Sequence, residues 1–122
     1  MPVILKINPQ KRVVHSTFFG LVTDAELLGH TDTISGHPDF RPEYDDIVDL
    51  TMVTEMQVSA KGLQQLAAKK SLFLPSSRHA VVAPKDLPFQ KAEEFRKMAE
   101  ASRPNFKVVR TALEAYEFVG LK

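Results

Sequence analysis

Two capping boxes constrain the fold most strongly, because each marks the point where a short apolar run gives way to a helix. Residues 23–26 and 111–114 both read Thr-x-x-Glu, a spacing in which hydroxyl and carboxylate satisfy free backbone N–H groups reciprocally. Each box follows a segment rich in β-branched and aromatic residues, which is typical of strands. The pattern therefore predicts strands that alternate with helices.

Turn and cap residues divide the rest of the chain. Asn8 and Pro9 are turn residues, so the flanking segments predict a β-hairpin. The predicted strands are residues 3–7, 12–19, 46–51, 79–83 and 106–109, and residues 53–58 are expected to form a loop. Helices are predicted from Thr23 to Gly36 and over about 60–72, 89–102 and 111–119, with Ser59 as the N-cap of the second.

The resulting order is β-β-α-β-α-β-α-β-α, which implies parallel crossover units. We expect an α/β fold: one domain over residues 1–122, with a mostly parallel five-stranded sheet, an antiparallel N-terminal edge hairpin and about four helices. Edge strands and apolar helix faces also allow a homodimer.

Composition excludes several classes of protein. A chain of 122 residues buries roughly two thirds of the surface of its unfolded form. It has no cysteine and a formal charge of +1, which argues against disulfides, thiolate metal sites and a nucleic-acid-binding surface. Residues 1–7 are too short for a signal peptide, and no run approaches the ~20 apolar residues of a membrane span. We therefore expect a cytoplasmic protein.

Charge is distributed unevenly along the chain. Residues 1–60 carry four basic and nine acidic groups, whereas residues 61–122 carry twelve and six. If Lys61, Lys69, Lys70 and Arg78 share a surface, they would attract a phosphate headgroup, an anionic membrane or an acidic protein patch. Alternatively, the two halves interleave in the fold and neutralise each other.

Five motifs follow one another along nearly the whole chain. They are GLVTDAEL (20–27), HPDFRPEYDDIVDLT (37–51), SAKGL (59–63), RHAVVAP (78–84) and VVRTALEAYEFV (108–119). Their order resembles the STAS superfamily, in particular its bacterial anti-sigma-factor-antagonist-like (SpoIIAA-like) branch. The resemblance implies a domain used for regulation or small-ligand binding, and it extends in fold to CRAL-TRIO domains, which carry lipids between a helix and the sheet.

The resemblance also places a regulatory serine at or near Ser59. In phosphorylated members this serine lies in an Asp-Ser-Ser-Gly-like sequence, whereas here the local sequence is Gln-Val-Ser-Ala. That departure argues against a kinase-driven partner switch. As a phosphorylation site, Ser59 would place about −2 of charge at a helix N-terminus; the alternative is a plain N-cap.

Aromatic and aliphatic residues suggest a ligand pocket. Leu72, Phe73 and Leu74 are more apolar than a helix-ending loop requires, and together with other phenylalanines they could line a pocket for an acyl chain. The alternative is an ordinary core.

Catalytic and metal sites have little support in the sequence. His30 and His37 are spaced for one helical face, but Gly36 should end that helix first, and such sites need three or four ligands. The acidic residues from Asp39 to Asp49 are loop and strand carboxylates without a visible partner. Nucleotide-binding and serine-hydrolase motifs are absent from the sequence. We expect no cofactor and no enzyme activity.

The leading hypothesis is a non-enzymatic regulatory or binding domain of STAS type, acting through a protein partner or a small apolar or anionic ligand. The alternative is a lipid-binding or membrane-peripheral carrier of the CRAL-TRIO kind.

Overall fold

Strands and helices alternate in the predicted order. The computed structural model describes residues 3–121, so residues 1, 2 and 122 of the predicted domain lie outside it. The elements are β1 (Val3–Asn8), β2 (Val13–Thr23), α1 (Asp24–Ser35), β3 (Asp45–Gln57), α2 (Ala60–Ala68), β4 (His79–Val82), α3 (Asp86–Met98), β5 (Phe106–Val109) and α4 (Ala112–Phe118). None of the helices in this range is long and apolar enough to cross a bilayer.

The five strands form one sheet in the order β1-β2-β3-β4-β5. β1 and β2 pair antiparallel, and every later pair is parallel. A short turn can reverse the chain only into an antiparallel neighbour, whereas a parallel neighbour needs a crossover, here supplied by a helix. The predicted fold class is therefore confirmed.

The helices cover both faces of the sheet unequally. Ile47 and Val48 are neighbours in β3 and point to opposite faces. Ile47 packs in a cluster with Ala115 of α4, while Val48 packs in the larger cluster that contains residues of α1, α2 and α3. Three helices thus cover one face and α4 covers part of the other.

The predicted loop over residues 53–58 is wrong, because β3 continues to Gln57. β2 is correspondingly longer than predicted, and the two strands pair from Phe19↔Met52 to Thr23↔Gln57. β4 reaches only as far as Asp49 along β3. The distal part of β3 is therefore not buried on both faces of the sheet, as the first half of the strand is. Its polar residues are typical of a loop, which is why the sequence did not indicate a strand there.

Two helices, α2 and α3, also differ from prediction in their bounds. α2 ends at Ala68 instead of Leu72, because Lys69 is extended (φ −66°, ψ 142°). α3 begins at Asp86 and ends at Met98, earlier than the predicted 89–102. Pro88 is compatible with this start, because the N–H groups in the first turn of a helix have no intrahelical hydrogen-bond acceptor, so a residue without an N–H loses no bond there.

Candidate functional site

An apolar cavity of about 140 Å³ lies between the sheet and helices α1, α2 and α3. Its apolar walls come from three helices and four strands, with Leu72 and Phe73 from the segment before β4. The wall residues include Phe18, Leu27, Ile34, Val48, Leu50, Met56, Leu63, Leu66, Val81, Ala92, Phe95 and Phe106. The same cavity is also lined by His30, Asp46, His79 and Arg103, which are the polar residues discussed below.

Asp46 and His79 form a hydrogen-bonded pair on adjacent strands. They are register partners at the amino ends of β3 and β4, and His79 Nδ1 lies 3.1 Å from Asp46 Oδ2. The imidazole is held between aromatic rings, edge-on to Phe73 at 4.9 Å and stacked with Phe106 at 5.8 Å. Strand pairing and ring packing therefore fix the orientation of His79.

Arg103 contributes a buried cation. It follows α3, and its guanidinium lies 5.2 Å from the centre of the Phe95 ring. Burial lowers the pKa of Arg103, and the charge of Asp46 opposes that shift. Because arginine does not lose its proton in proteins, the group stays cationic.

His30 of α1 lines the cavity above the sheet. Its Nε2 atom lies 2.7 Å from the hydroxyl of Ser16 in β2, and its ring contacts Phe18 edge-on at 5.1 Å. Burial lowers the pKa of His30, with a smaller opposing effect of Asp46. The neutral imidazole is therefore favoured in the folded protein.

Four polar atoms of these residues are buried and find no hydrogen-bond partner among residues 3–121: His30 Nδ1, Asp46 Oδ1, His79 Nε2 and Arg103 Nη1. The side chains are deeply buried, with His79 2%, His30 8% and Arg103 9% exposed. Leaving such an atom unpaired costs about 1–3 kcal/mol. All four belong to residues that line the same apolar cavity, and these four residues are called the polar cluster below.

The polar pairs do not form a catalytic triad. A serine nucleophile needs a histidine that is itself oriented by a third group. Ser16 bonds to His30, whereas the Asp46 carboxylate bonds to His79. Within the part of the chain described, no group of three or more acidic or histidine side chains is arranged to hold a metal ion. His37 lies beyond the end of α1, as predicted from Gly36, and so does not share a helical face with His30.

The predicted pocket residues divide into two groups. Leu72 and Phe73 line the cavity, whereas Leu74 is 46% exposed and lies outside the lining.

Asp45 forms an ion pair with Arg78, at 2.8 Å, so the predicted acidic segment is divided between that pair and the Asp46–His79 pair.

The four predicted basic residues do not surround the cavity. Lys61, Lys69 and Lys70 lie in or just after α2 and are exposed, and Lys69 Nζ donates to Thr31 Oγ1 at 2.8 Å. Arg78 lies beside Gly120, just beyond α4, and α4 covers the opposite face of the sheet. Together with the Arg78–Asp45 ion pair, this position favours the alternative in which the charges of the two halves neutralise each other.

Ser59 is the N-cap of α2, and both of its hydrogen-bonding functions are used. Its Oγ accepts from the Gly62 N–H at 2.9 Å and donates to Asp24 Oδ2 at 2.6 Å. The Ser59 N–H donates to Asp24 Oδ1 at 2.9 Å. A carboxylate thus already occupies the position beside the α2 N-terminus.

Sequence reasoning missed Arg103 and the pairing of Asp46 with His79. The pair had a signal, because each residue begins a buried strand and such strands lie side by side in a parallel sheet. Arg103 had none, since a basic residue in a loop after an amphipathic helix is normally solvated.

No family model and no curated protein matches the sequence. The structure, however, is similar to the crystal structure of an uncharacterized protein of the DUF3478 family from Shewanella loihica PV-4 with a SpoIIAA-like fold. The likeness has a TM-score of 0.60 and covers 96% of this chain and 93% of that chain, at 16% sequence identity. The chain has the SpoIIAA-like fold. Within this fold, the cavity lies between the sheet and the three helices α1, α2 and α3.

Proposed function

We propose that the protein is a cytoplasmic, non-enzymatic binding domain whose cavity holds a compact, mostly apolar ligand. The observation that carries this proposal is the set of four unpaired polar atoms within one apolar chamber. A core has no structural use for such atoms, because apolar replacements would pack there without the desolvation penalty. A ligand with matching polar groups would remove the penalty.

The size of the cavity limits the ligand. At about 140 Å³, it resembles an engineered protein cavity of about 150 Å³ that binds benzene. Pockets for drug-sized molecules measure about 300–1,000 Å³. The volume therefore supports a ligand of about six to nine heavy atoms, and disfavours the alternative, a carrier of long-chain lipids.

Screening with small probes tests the proposal. Benzene, toluene and short aliphatic acids are added to labelled protein, and chemical shifts of methyl groups in Leu27, Leu63 and Val81 are followed by NMR. We expect saturable shifts at these cavity methyls. Ala92→Leu, which fills the cavity, should abolish them, while Ala101→Leu at an exposed site should not. Absence of saturable shifts with every probe would refute a compact-ligand site.

Native mass spectrometry of protein purified from cells separates the two ligand classes. A retained species of lipid mass would favour the lipid-carrier alternative and would require the cavity to expand. A retained species of about 150 daltons or less, the mass of about nine heavy atoms, would support the compact ligand.

Self-association is a second candidate, favoured by an apolar patch on the sheet. Phe19 and Met52 are register partners on β2 and β3, and both are exposed, as are Leu21 and Ile4. Sedimentation of the protein and of Met52→Lys tests whether this patch pairs two copies of the chain. A monomer at all concentrations would exclude it; Leu113→Lys, on exposed α4 surface, is the control.

A further inference from the structure

The unpaired atoms of the cavity differ in hydrogen-bonding character. Arg103 Nη1 is a cationic donor. An ionised carboxylate only accepts, so the Asp46–His79 bond assigns the shared hydrogen to His79 Nδ1, and in the neutral ring Nε2 is then an acceptor. Asp46 Oδ1 is an acceptor as well. Three of the four unpaired atoms therefore offer one strong donor and two acceptors, and the fourth, His30 Nδ1, donates or accepts according to its tautomer.

Arg103 and Asp46 line the same cavity but do not pair with each other. Arg103 and Asp46 carry opposite charges and influence each other electrostatically, yet among the residues described neither forms an ion pair with the other. A purely anionic ligand would satisfy Arg103 and leave Asp46 facing like charge. A hydrocarbon would satisfy neither. The ligand that matches both groups carries an acceptor and a donor.

From this complementarity we infer that the ligand is a compact organic acid with a hydroxyl or ammonium donor on an apolar body. Its carboxylate accepts from Arg103, its donor faces Asp46 Oδ1 or His79 Nε2, and its hydrocarbon part lies among Leu27, Leu63 and Val81. Of the remaining polar side chains on the lining, Thr31 is uncharged and His30 is favoured as the neutral imidazole, whereas Lys91 adds a second positive charge, which also favours a ligand with a carboxylate. The inference rests on the proposed function and specifies the chemical class of its ligand.

Four probes with one carbon skeleton test this class on the unmodified protein: isocaproate, its alpha-hydroxy derivative, leucine and isocaproamide. Dissociation constants are measured by calorimetry. We expect the hydroxy acid or leucine to bind about tenfold or more tightly than isocaproate, because each adds a donor on the carbon next to the carboxylate and isocaproate has none. Isocaproate should bind about tenfold or more tightly than the neutral amide, because Arg103 prefers a carboxylate. Comparison of leucine with the hydroxy acid identifies the donor.

Each result has a defined meaning. Equal affinity of isocaproate and its amide would overturn the carboxylate assignment, and equal affinity of isocaproate and both donor-bearing acids would overturn the donor assignment. If none of the four probes binds but toluene does, the inference fails while the compact-ligand function stands. If toluene also fails to bind, both the inference and the proposed compact-ligand function are refuted.

Arg103→Gln gives an independent readout in protein that remains folded. It should remove the preference for isocaproate over the amide while toluene still binds. Arg96→Gln is the matched control, because Arg96 pairs with Glu93 on α3 and does not line the cavity. Retention of the full preference in Arg103→Gln would overturn the role of Arg103. If Arg103→Gln does not fold, the probe series on unmodified protein still decides.

Discussion

The carboxylate of Asp24, the first residue of α1, accepts two hydrogen bonds from Ser59, the N-cap of α2, one from Oγ at 2.6 Å and one from the backbone N–H at 2.9 Å. These bonds hold the pKa of Asp24 below its ordinary value. The Oγ atom of Ser59 also accepts a hydrogen bond from the Gly62 N–H in the first turn of α2. Two helix N-termini that are 35 positions apart in sequence are thus joined by one carboxylate.

Gly62→Ala is expected to destabilise the protein although it lies in a helix. A Cβ at Gly62 would overlap the Asp24 carboxylate. In an Asp24→Ala background this obstacle is gone, and the same substitution should stabilise by up to about 1 kcal/mol through helix propensity. Gly29→Ala is the control in the unmodified background, since nothing lies within 4 Å of its added Cβ. Urea unfolding measures all four variants; equal effects of Gly62→Ala in both backgrounds would contradict the close approach.

Ser59→Asp should be less stable than Ser59→Ala at neutral pH. Loss of the cap in Ser59→Ala costs about 1 kcal/mol. Aspartate is normally as good an N-cap as serine, but here it meets the Asp24 carboxylate. Asp24→Asn should restore the stability of Ser59→Asp, and added salt should reduce the deficit. An equal midpoint of thermal unfolding for Ser59→Asp and the unmodified protein would contradict this. It would show that negative charge at Ser59, including a phosphate, is compatible with the contact between Asp24 and Ser59.

Stability should fall at mildly acidic pH because of His30. Its pKa is lowered in the folded state by burial, so the unfolded chain binds the proton more readily. The free energy of unfolding therefore rises with pH in this range: the His30 contribution is present above the unfolded value of about 6.5 and is lost as pH falls toward the folded pKa. Ser16 bonds to the ring, and the charge of Asp46 acts on it.

Denaturant unfolding between pH 5 and 8 measures this effect. His30→Gln should flatten the rise relative to His37→Gln, which removes an imidazole from the loop after α1. Equal slopes for the two variants would show that protonation of His30 does not oppose folding.

Arg103→Met and Asp46→Ala should differ in their effect on stability. Arg103→Met removes a buried cation with an unpaired Nη1, so the free energy of unfolding should fall by no more than about 1 kcal/mol or should rise. Asp46→Ala leaves His79 Nδ1 without its partner and should cost about 1–3 kcal/mol. Thermal and urea unfolding compare the two. A larger loss for Arg103→Met would assign Arg103 a structural role instead of a ligand-binding one.

Much of the fold follows from local sequence. The box at Thr23 is formed as predicted, with Glu26 Oε1 accepting from the Thr23 N–H at 2.9 Å. At Thr111 half of the box is formed: its Oγ1 accepts from the Glu114 N–H, while the Glu114 carboxylate accepts from the Thr111 hydroxyl. Caps and turns can be read from sequence because their hydrogen bonds join residues within one turn of chain. The distal half of β3 could not be read, because its pairing with β2 depends on residues some 30 positions away and not on its own pattern.

The sequence by itself determined the alternation of strands and helices, the parallel sheet with its antiparallel edge, and the N-cap at Ser59, since each depends on backbone chemistry within a few residues. Only the tertiary structure decided the cavity and its polar cluster. His30, Asp46, His79 and Arg103 come from four separate elements, and neither their burial nor their unpaired atoms can be inferred from spacing. Burial makes these ordinary surface-type residues candidates for contact with a ligand, because a polar atom without water gains most from a partner.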